Sequence, residues 1–383
     1  MNIVFVGLPG VPYRGRACDA RLTYFANLLA KKHNVSIVNW FSPKSMINNK
    51  SGELDQSVNI VEVVEPKQVS GLKYKIYYIW SLLKEPFVLF GLNKTQHIDI
   101  IHIYTEVPFI YVVYKLVAFL IGAKLIYQYV EDRSTFESYN LFQKFFQSIG
   151  DKLAALFSDG VIPISHFLEN KALNMNPNLH SLKIPPICDF NGFKKYPIQT
   201  EVLEDYLLYC GSVNYLDVIK LLINSYHYSK IHNHMKLILI LSGDEKVVDQ
   251  IKNDNSDCIV LTNLEYGKLI SYFKGAQYLL IPLRDTLSEI ARFPNKICEY
   301  IASNGVFVST NIGEISYYFK DGENAIIANS FCVESFVEVF NNIDSGGYDR
   351  ESLQRNAYEL GLELFCMDAY EDDLNLFLSN LFS

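Results

Sequence analysis

Residues 277–328 read QYLLIPLRDTLSEIARFPNKICEYIASNGVFVSTNIGEISYYFKDGENAIIA. An apolar run ends at Pro282, and a polar loop with Arg284, Asp285, Glu289 and Arg292 follows. Pro294 then opens a helix, a position where proline is tolerated because its missing N–H has no helical partner. The helix leads into a β-branched strand at 306–309 and a further one at 324–328. Strand, loop, helix, strand is the repeating unit of a parallel sheet. The first amides of a helix attract an anion, with about 0.3–1 kcal/mol in an exposed setting. Arg292, Asn295 and Lys296 beside those amides make a stronger diphosphate seat. Glu299 lies one turn deeper, placed to accept hydrogen bonds from a ribose diol. The same residues also read as a solvated helix start with incidental charges.

Outward from this stretch the pattern repeats. In the second half, strand candidates lie at 206–210, 236–242, 258–261 and 277–281, with helices fitting between them. The first half carries its own series, at 2–7, 35–39, 58–64, 98–103, 124–130 and 160–164, with a clear helix at 20–34. Several of these runs lack polar alternation, as strands covered on both faces should. Two βα series predict an α/β chain of two Rossmann-like, doubly wound domains facing across a cleft. The expected division is 1–185, a Pro-rich linker at 186–205, a second domain at 206–360, and a C-terminal helix within 361–383 that returns to the first domain.

At 383 residues the chain is too long for one ordinary core. Its 49% hydrophobic content and 20% charge exclude a disordered chain. A net charge of −8 argues against coating nucleic acid. Residues 1–183 carry 19 basic and 14 acidic side chains, and the remainder carries 15 and 28. The halves are thus oppositely charged, as domains with different partners would be. The seven cysteines form no CxxC pair, which predicts a reducing, cytoplasmic setting with neither a disulfide framework nor a zinc site. The apolar run 109–130 contains Lys115, Lys124 and a dividing Gly122. It is read as a buried helix (107–121) and a buried strand, since a lysine at mid-membrane costs about 2.5–3.5 kcal/mol.

The first loop, GLPGVPYRGRACDAR (7–21), places Gly7, Gly10 and Gly15 between a strand and a helix, but not as GxGxxG. Strand two ends in Asn39-Trp40 with no acid to grip a ribose, which argues against a dinucleotide site. The P-loop, HExxH, EF-hand and GxSxG patterns are absent.

The segment FPNKICEYIASNGVFVSTNIGEI with DGENA (321–325) resembles the donor-site signature of family 4 (group 1) glycosyltransferases, which have the GT-B fold. LLYCGSV (207–213), IPPICDF, the first glycine loop and the terminal helix also sit where that family has them. The resemblance implies a glycosyltransferase, hexosyltransferase-like and retaining, that moves sugar from a nucleotide-sugar co-substrate without metal or other cofactor. It implies a ribose contact for Glu299. The arginine and lysine that grip the diphosphate in that family have no clear match after Gly211, where SVNYLDVIK stands, so Arg292 and Lys296 are the candidates, with Gly10, Gly15, Gly211, Ser212 and Asn295 as further donor-site residues. The first glutamate of the signature falls on Ala291, and Glu289 is the candidate replacement.

On the acceptor side, Glu131 and Asp132 follow a buried strand and could orient or deprotonate a hydroxyl; Asp132 equally suits a helix cap. Residues 67–94 mix lysines with aromatics, which suits either a membrane surface or a packed helix pair. With a membrane, a lipid-linked saccharide acceptor and surface-polysaccharide assembly at the inner membrane face follow by analogy. A plain saccharide acceptor is the other case. Two alternatives stay open: a non-catalytic partner subunit of the same fold, favoured by Ala291, and a sugar-nucleotide epimerase.

Overall fold

The computed structural model describes residues 1–12, 17–46, 53–105 and 107–383. Gly15 lies outside them. The chain divides into two compact units. Unit 1 is Met1–Ile187, Ala291–Phe293 and Met367–Ser383; unit 2 is Cys188–Ile290 and Pro294–Cys366.

Unit 1 runs β1 (Asn2–Pro9), α1 (Ala17–Ala30), β2 (Asn34–Trp40), β3 (Asn59–Glu62), α2 (Gly71–Thr95), β4 (Ile100–Ile103), α3 (Ile110–Ile121), β5 (Lys124–Tyr129), α4 (Leu141–Phe157), β6 (Gly160–Pro163), α5 (His166–Met175) and β7 (His180–Ser181). The strands form a seven-stranded sheet in the order β3-β2-β1-β4-β5-β6-β7, parallel throughout. The central strands β1, β4 and β5 are buried almost end to end because helices cover both faces. Asn140 and Gln143 close a capping box at the start of α4, and Gly122 ends α3 in the left-handed region with φ +78°.

Two expectations change here. Within 67–94 the chain from Gly71 on forms one long helix, α2, with Pro86 inside it, in place of a helix pair. The helix expected to be buried, α3, buries only one side: Leu116, Phe119 and Leu120 are exposed.

Unit 2 runs α6 (Phe190–Lys194), β8 (Tyr206–Ser212), α7 (Leu216–Tyr228), β9 (Lys236–Ser242), α8 (Glu245–Asp254), β10 (Ile259–Leu261), α9 (Tyr266–Gly275), β11 (Tyr278–Leu280), α10 (Leu287–Ala291), α11 (Lys296–Ala302), β12 (Val306–Thr310), α12 (Ile315–Tyr318), β13 (Ile326–Ala328), α13 (Val333–Asp344) and α14 (Arg350–Leu364). Its six-stranded parallel sheet has the order β10-β9-β8-β11-β12-β13. The switch of direction falls at β8, with β9 on one side and β11 on the other. Residues 188–205, expected as a linker, pack as part of unit 2. Asp189 caps α6 through the Gly192 amide at 2.8 Å, and Phe190 and Phe193 are buried. That buried pair makes the stretch a piece of the core. Residues 361–366 also stay in unit 2, as the end of α14 and the strand-like pairing of Cys366 with Cys188.

The last helix, α15 (Glu371–Asn380), belongs to unit 1. Lys31 of α1 binds Asp368 at 2.8 Å and Glu371 at 3.0 Å, and a Cβ on Gly160 would meet Phe377 at 2.7 Å. Arg21 is buried beneath: Nε donates to Gln128 at 2.7 Å, and the terminal nitrogens donate to the carbonyls of Pro185 and Ile184 at 2.8 Å.

Candidate functional site

In each sheet the carboxyl ends of the strands lie on one edge, where open α/β sheets bind ligands. In unit 2 the edge is built at β8, β11 and β12. Ser309 donates to the Ile281 carbonyl at 2.8 Å; Thr310 accepts from the Leu283 amide at 2.9 Å and donates back to its carbonyl. Two hydroxyls at the end of β12 thus fix the loop that leaves β11. From that loop Arg284 donates to Glu289 at 2.8 Å and to Asp217 at 3.1 Å, and lies 5.6 Å over the Tyr215 ring. Glu289 is buried. Burial alone would lower the Arg284 pKa, but its two carboxylate partners raise it.

Helix α11 carries Lys296 and Glu299. Among the described residues no side chain caps its first amides; Asn295 precedes it with helical φ and ψ, and the Pro294 carbonyl accepts from the Ile297 amide at 3.2 Å. Burial raises the Glu299 carboxyl above its usual range, while Lys296 and the Tyr266 hydroxyl, 3.3 Å away, pull it back. Burial likewise raises the Cys210 thiol on β8, which Lys296 lowers and Glu299 raises further. Cys210 is followed on β8 by Gly211 and Ser212, which end the strand. Ser212 accepts from the Asn214 amide at 3.2 Å and starts the turn into α7.

Unit 1 holds the other expected residues. Arg292 falls in the three-residue stretch grouped with unit 1. Beside it Ala291 is buried, and its carbonyl accepts from Ser165 at 2.6 Å. Gly7 has φ +99°, and a Cβ there would sit 2.6 Å from the Tyr104 carbonyl oxygen, so the irregular stretch of β1 between Phe5 and Leu8 requires glycine. Gly10 also lies in the left-handed region, at φ +66°. Glu131 faces Arg133 at 3.6 Å. Asp132 differs from a free base: one oxygen accepts from the amide and hydroxyl of Ser134, and the other binds Lys171 at 2.5 Å. Lys171 also binds Asp151 at 2.8 Å, which accepts from Tyr129 at 2.9 Å. Of the two roles open to Asp132, this geometry is that of a cap and anchor.

Three groups have no local motif and were not legible. Asn39 holds the glycine loop, accepting from the Val11 amide at 3.0 Å and donating to the Val11 carbonyl at 2.8 Å. Glu85, buried on the inner side of α2, accepts from Trp40 at 2.8 Å and Tyr114 at 2.7 Å. Burial pushes its carboxyl up to about 7 against the pull of those donors and the Gly7 amide. The third is the pairing of Arg284 with Asp217. Of Asn39 and Trp40, which argued against a dinucleotide site, the first braces the loop after β1 and the second anchors Glu85.

Among the described residues, His227, Asp257 and Cys258 bring potential metal-binding atoms within 4.8 Å of one another. They lie at the start of β10 and the end of α7, the sheet edge opposite the one above. Burial and Asp257 push the Cys258 thiol up to about 12, which opposes the thiolate a metal needs.

Residues 204–343 match the family model described as glycosyl transferases group 1. The fold is GT-B. Sucrose-phosphate synthase from Thermosynechococcus elongatus superposes with a TM-score of 0.76 at 14% identity, covering 100% of this chain and 99% of that one. HepE from Anabaena, in complex with UDP-glucose, superposes at 0.69 and 14% identity, covering 99% and 100%. A glycosyltransferase from Rickettsia africae gives 0.69 at 15% identity, covering 100% and 98%. No curated protein matches. The group 1 match spans β8 to α13, so it contains Gly211, Ser212, Glu289, Lys296 and Glu299.

Proposed function

We propose that this protein is a glycosyltransferase that takes a sugar from a nucleotide-sugar donor bound at the β8–α11 edge of unit 2. The observation that carries the reading is the pair Lys296 and Glu299 on α11, with the Tyr266 hydroxyl 3.3 Å from Glu299, inside the stretch that matches group 1 glycosyl transferases. Glu299 accepts from the ribose hydroxyls. Lys296 and the first amides of α11 neutralise the diphosphate, with Gly211 and Ser212 giving close backbone approach. The UDP-glucose complex of HepE supports a uridine diphosphate sugar as the first donor to test.

In the transfer, the bond from sugar C1 to the diphosphate oxygen breaks and a bond from C1 to the acceptor oxygen forms. The acceptor proton passes to the leaving diphosphate. With the leaving group held by cations and amide dipoles, the step uses no metal. Retention of configuration, a saccharide or lipid-linked acceptor, surface-polysaccharide assembly and a peripheral place at the inner membrane face are the finer parts of the proposal. Among the described residues no helix is long and apolar enough to cross a membrane. Glu131 is the acceptor-side candidate, since Asp132 is committed to Ser134 and Lys171.

Thermal shift with UDP and UDP-glucose tests donor binding. The expected result is a raised Tm, with affinity reduced about tenfold to a hundredfold in Glu299→Ala, as loss of charge-assisted hydrogen bonds gives. Equal affinity in that variant rejects the site. A second reading, a partner subunit without turnover, is favoured by buried Ala291 in place of the signature glutamate and by Glu289 locked to Arg284. Donor binding without hydrolysis or transfer to any acceptor would select it.

A further inference from the structure

Helices α2, α3 and α4 carry the chain from β3 to β4, β5 and β6, in one direction across the sheet. Right-handed crossovers in one direction place them on one face. They lie side by side: Tyr114 of α3 binds Glu85 of α2, and Phe109 before α3 packs 5.3 Å from Phe146 of α4. Their inner sides cover the sheet, and their outer sides are apolar. On α2, Trp80 is 55% exposed and Phe87 74%; on α3, Phe119 is 80%; on α4, Leu141 is 86% and Phe142 68%. Soluble monomers rarely leave a contiguous apolar area of this kind uncovered.

The charges on this layer have one sign. Lys73, Lys75, Lys84 and Lys94 on α2, Lys115 on α3, and Lys144 and Lys152 on α4 are its cations. The two carboxylates of the three helices both face inward. Glu85 is buried under Trp40 and Tyr114, and Asp151 is paired with Lys171 and Tyr129. A second copy of this chain would set lysine against lysine. A surface of anionic headgroups over acyl chains matches both features together.

We propose that the outer face of α2, α3 and α4 lies on an anionic lipid surface. Trp80, Phe87, Phe119 and Phe142 enter the acyl boundary and the lysines meet lipid phosphates. This deepens the reading of a lipid-linked acceptor by naming the surface from which it would be taken, and it widens the sequence expectation from 67–94 to a three-helix layer.

The protein carries its own reporter. Of its two tryptophans, Trp40 is buried and bonded to Glu85, so an environment-dependent change on binding comes from Trp80. With vesicles of phosphatidylglycerol and phosphatidylcholine, tryptophan emission shifts to the blue and the protein co-sediments. Trp80→Phe removes the shift and keeps the sedimentation. The triple change Phe87→Ser, Phe119→Ser and Phe142→Ser weakens binding about a hundredfold or more. Pure phosphatidylcholine, or lysines 73, 75, 84 and 94 changed together to glutamine, weakens it about tenfold or more. Absence of shift and sedimentation at physiological salt overturns the proposal, as does equal binding to both vesicle types. A lipid-free dimer that the serine variant makes monomeric assigns the face to a second copy and also overturns it. None of these readouts uses a nucleotide, so donor binding measured without vesicles fails or succeeds separately.

Discussion

The helices α3 and α8 cover parallel sheets of the same kind and are written in opposite languages. IYVVYKLVAFLI (Ile110–Ile121) is apolar on both sides, with Lys115 its only charge. EKVVDQIKND (Glu245–Asp254) buries only Val248 and Ile251 and turns charges and amides outward. Helix α13 follows α8: Phe336, Val339, Phe340 and Ile343 face the core, with Glu334 and Glu338 outside. The inner stripe of such a helix is dictated by the sheet beneath it. The outer stripe is dictated by what lies beyond, and water does not ask for Phe119.

The largest expected effect breaks the comparison from the inside. Phe340→Ala on the inner face of α13 should destabilise unit 2 by about 3–5 kcal/mol, through lost transfer energy and the cavity left behind. Denaturant unfolding measures it, and a loss below about 1 kcal/mol would mean that the core cluster around Phe336 and Val339 is not packed as described.

The next concerns the inner side of α2. Glu85 has a folded pKa raised from 4.5 to about 7, so its protonated form is the one the fold favours. Its contribution is fully present below the unfolded value and is lost as pH rises through about 7, by up to about 3 kcal/mol. Glu85→Gln keeps an acceptor for Trp40 and Tyr114 and carries no such dependence. The stability of the native protein relative to this variant should therefore fall between pH 4.5 and 8. A constant difference across that range, in urea midpoints, would refute the assignment.

The smallest effect sharpens the contrast most. Phe119→Ser, on the outer face of α3, should change stability in lipid-free buffer by no more than about 0.5 kcal/mol, because the ring is already in water. A loss comparable with that of Phe340→Ala would show that the outer face is covered in solution.

Many strands of both units were readable because they are short apolar runs without polar alternation, as at Ile3–Val6 and Leu237–Leu241. The Lys296–Glu299 pair was readable because its members sit three residues apart in one signature. What escaped the sequence depends on separation or on facing. Asn39 reaches Val11 across 28 positions, and Arg284 reaches Asp217 across 67. The two sides of α3 cannot be told apart by composition, since both are apolar, so it reads as buried. In place of the packed helix pair that 67–94 suited, α2 continues through Pro86 with Glu85 anchored by two donors from other elements.

The place of α15 against β6 and α1 has a consequence for how the molecule is made. Phe377 fills the space above Gly160, and Asp368 and Glu371 meet Lys31, so the N-terminal unit is finished by residues translated nearly two hundred positions after its last strand. The unit synthesised first is thus the last to be completed. Until residues 371–381 pack, the side of β6 at Gly160 lacks its cover of Phe377 and Leu381.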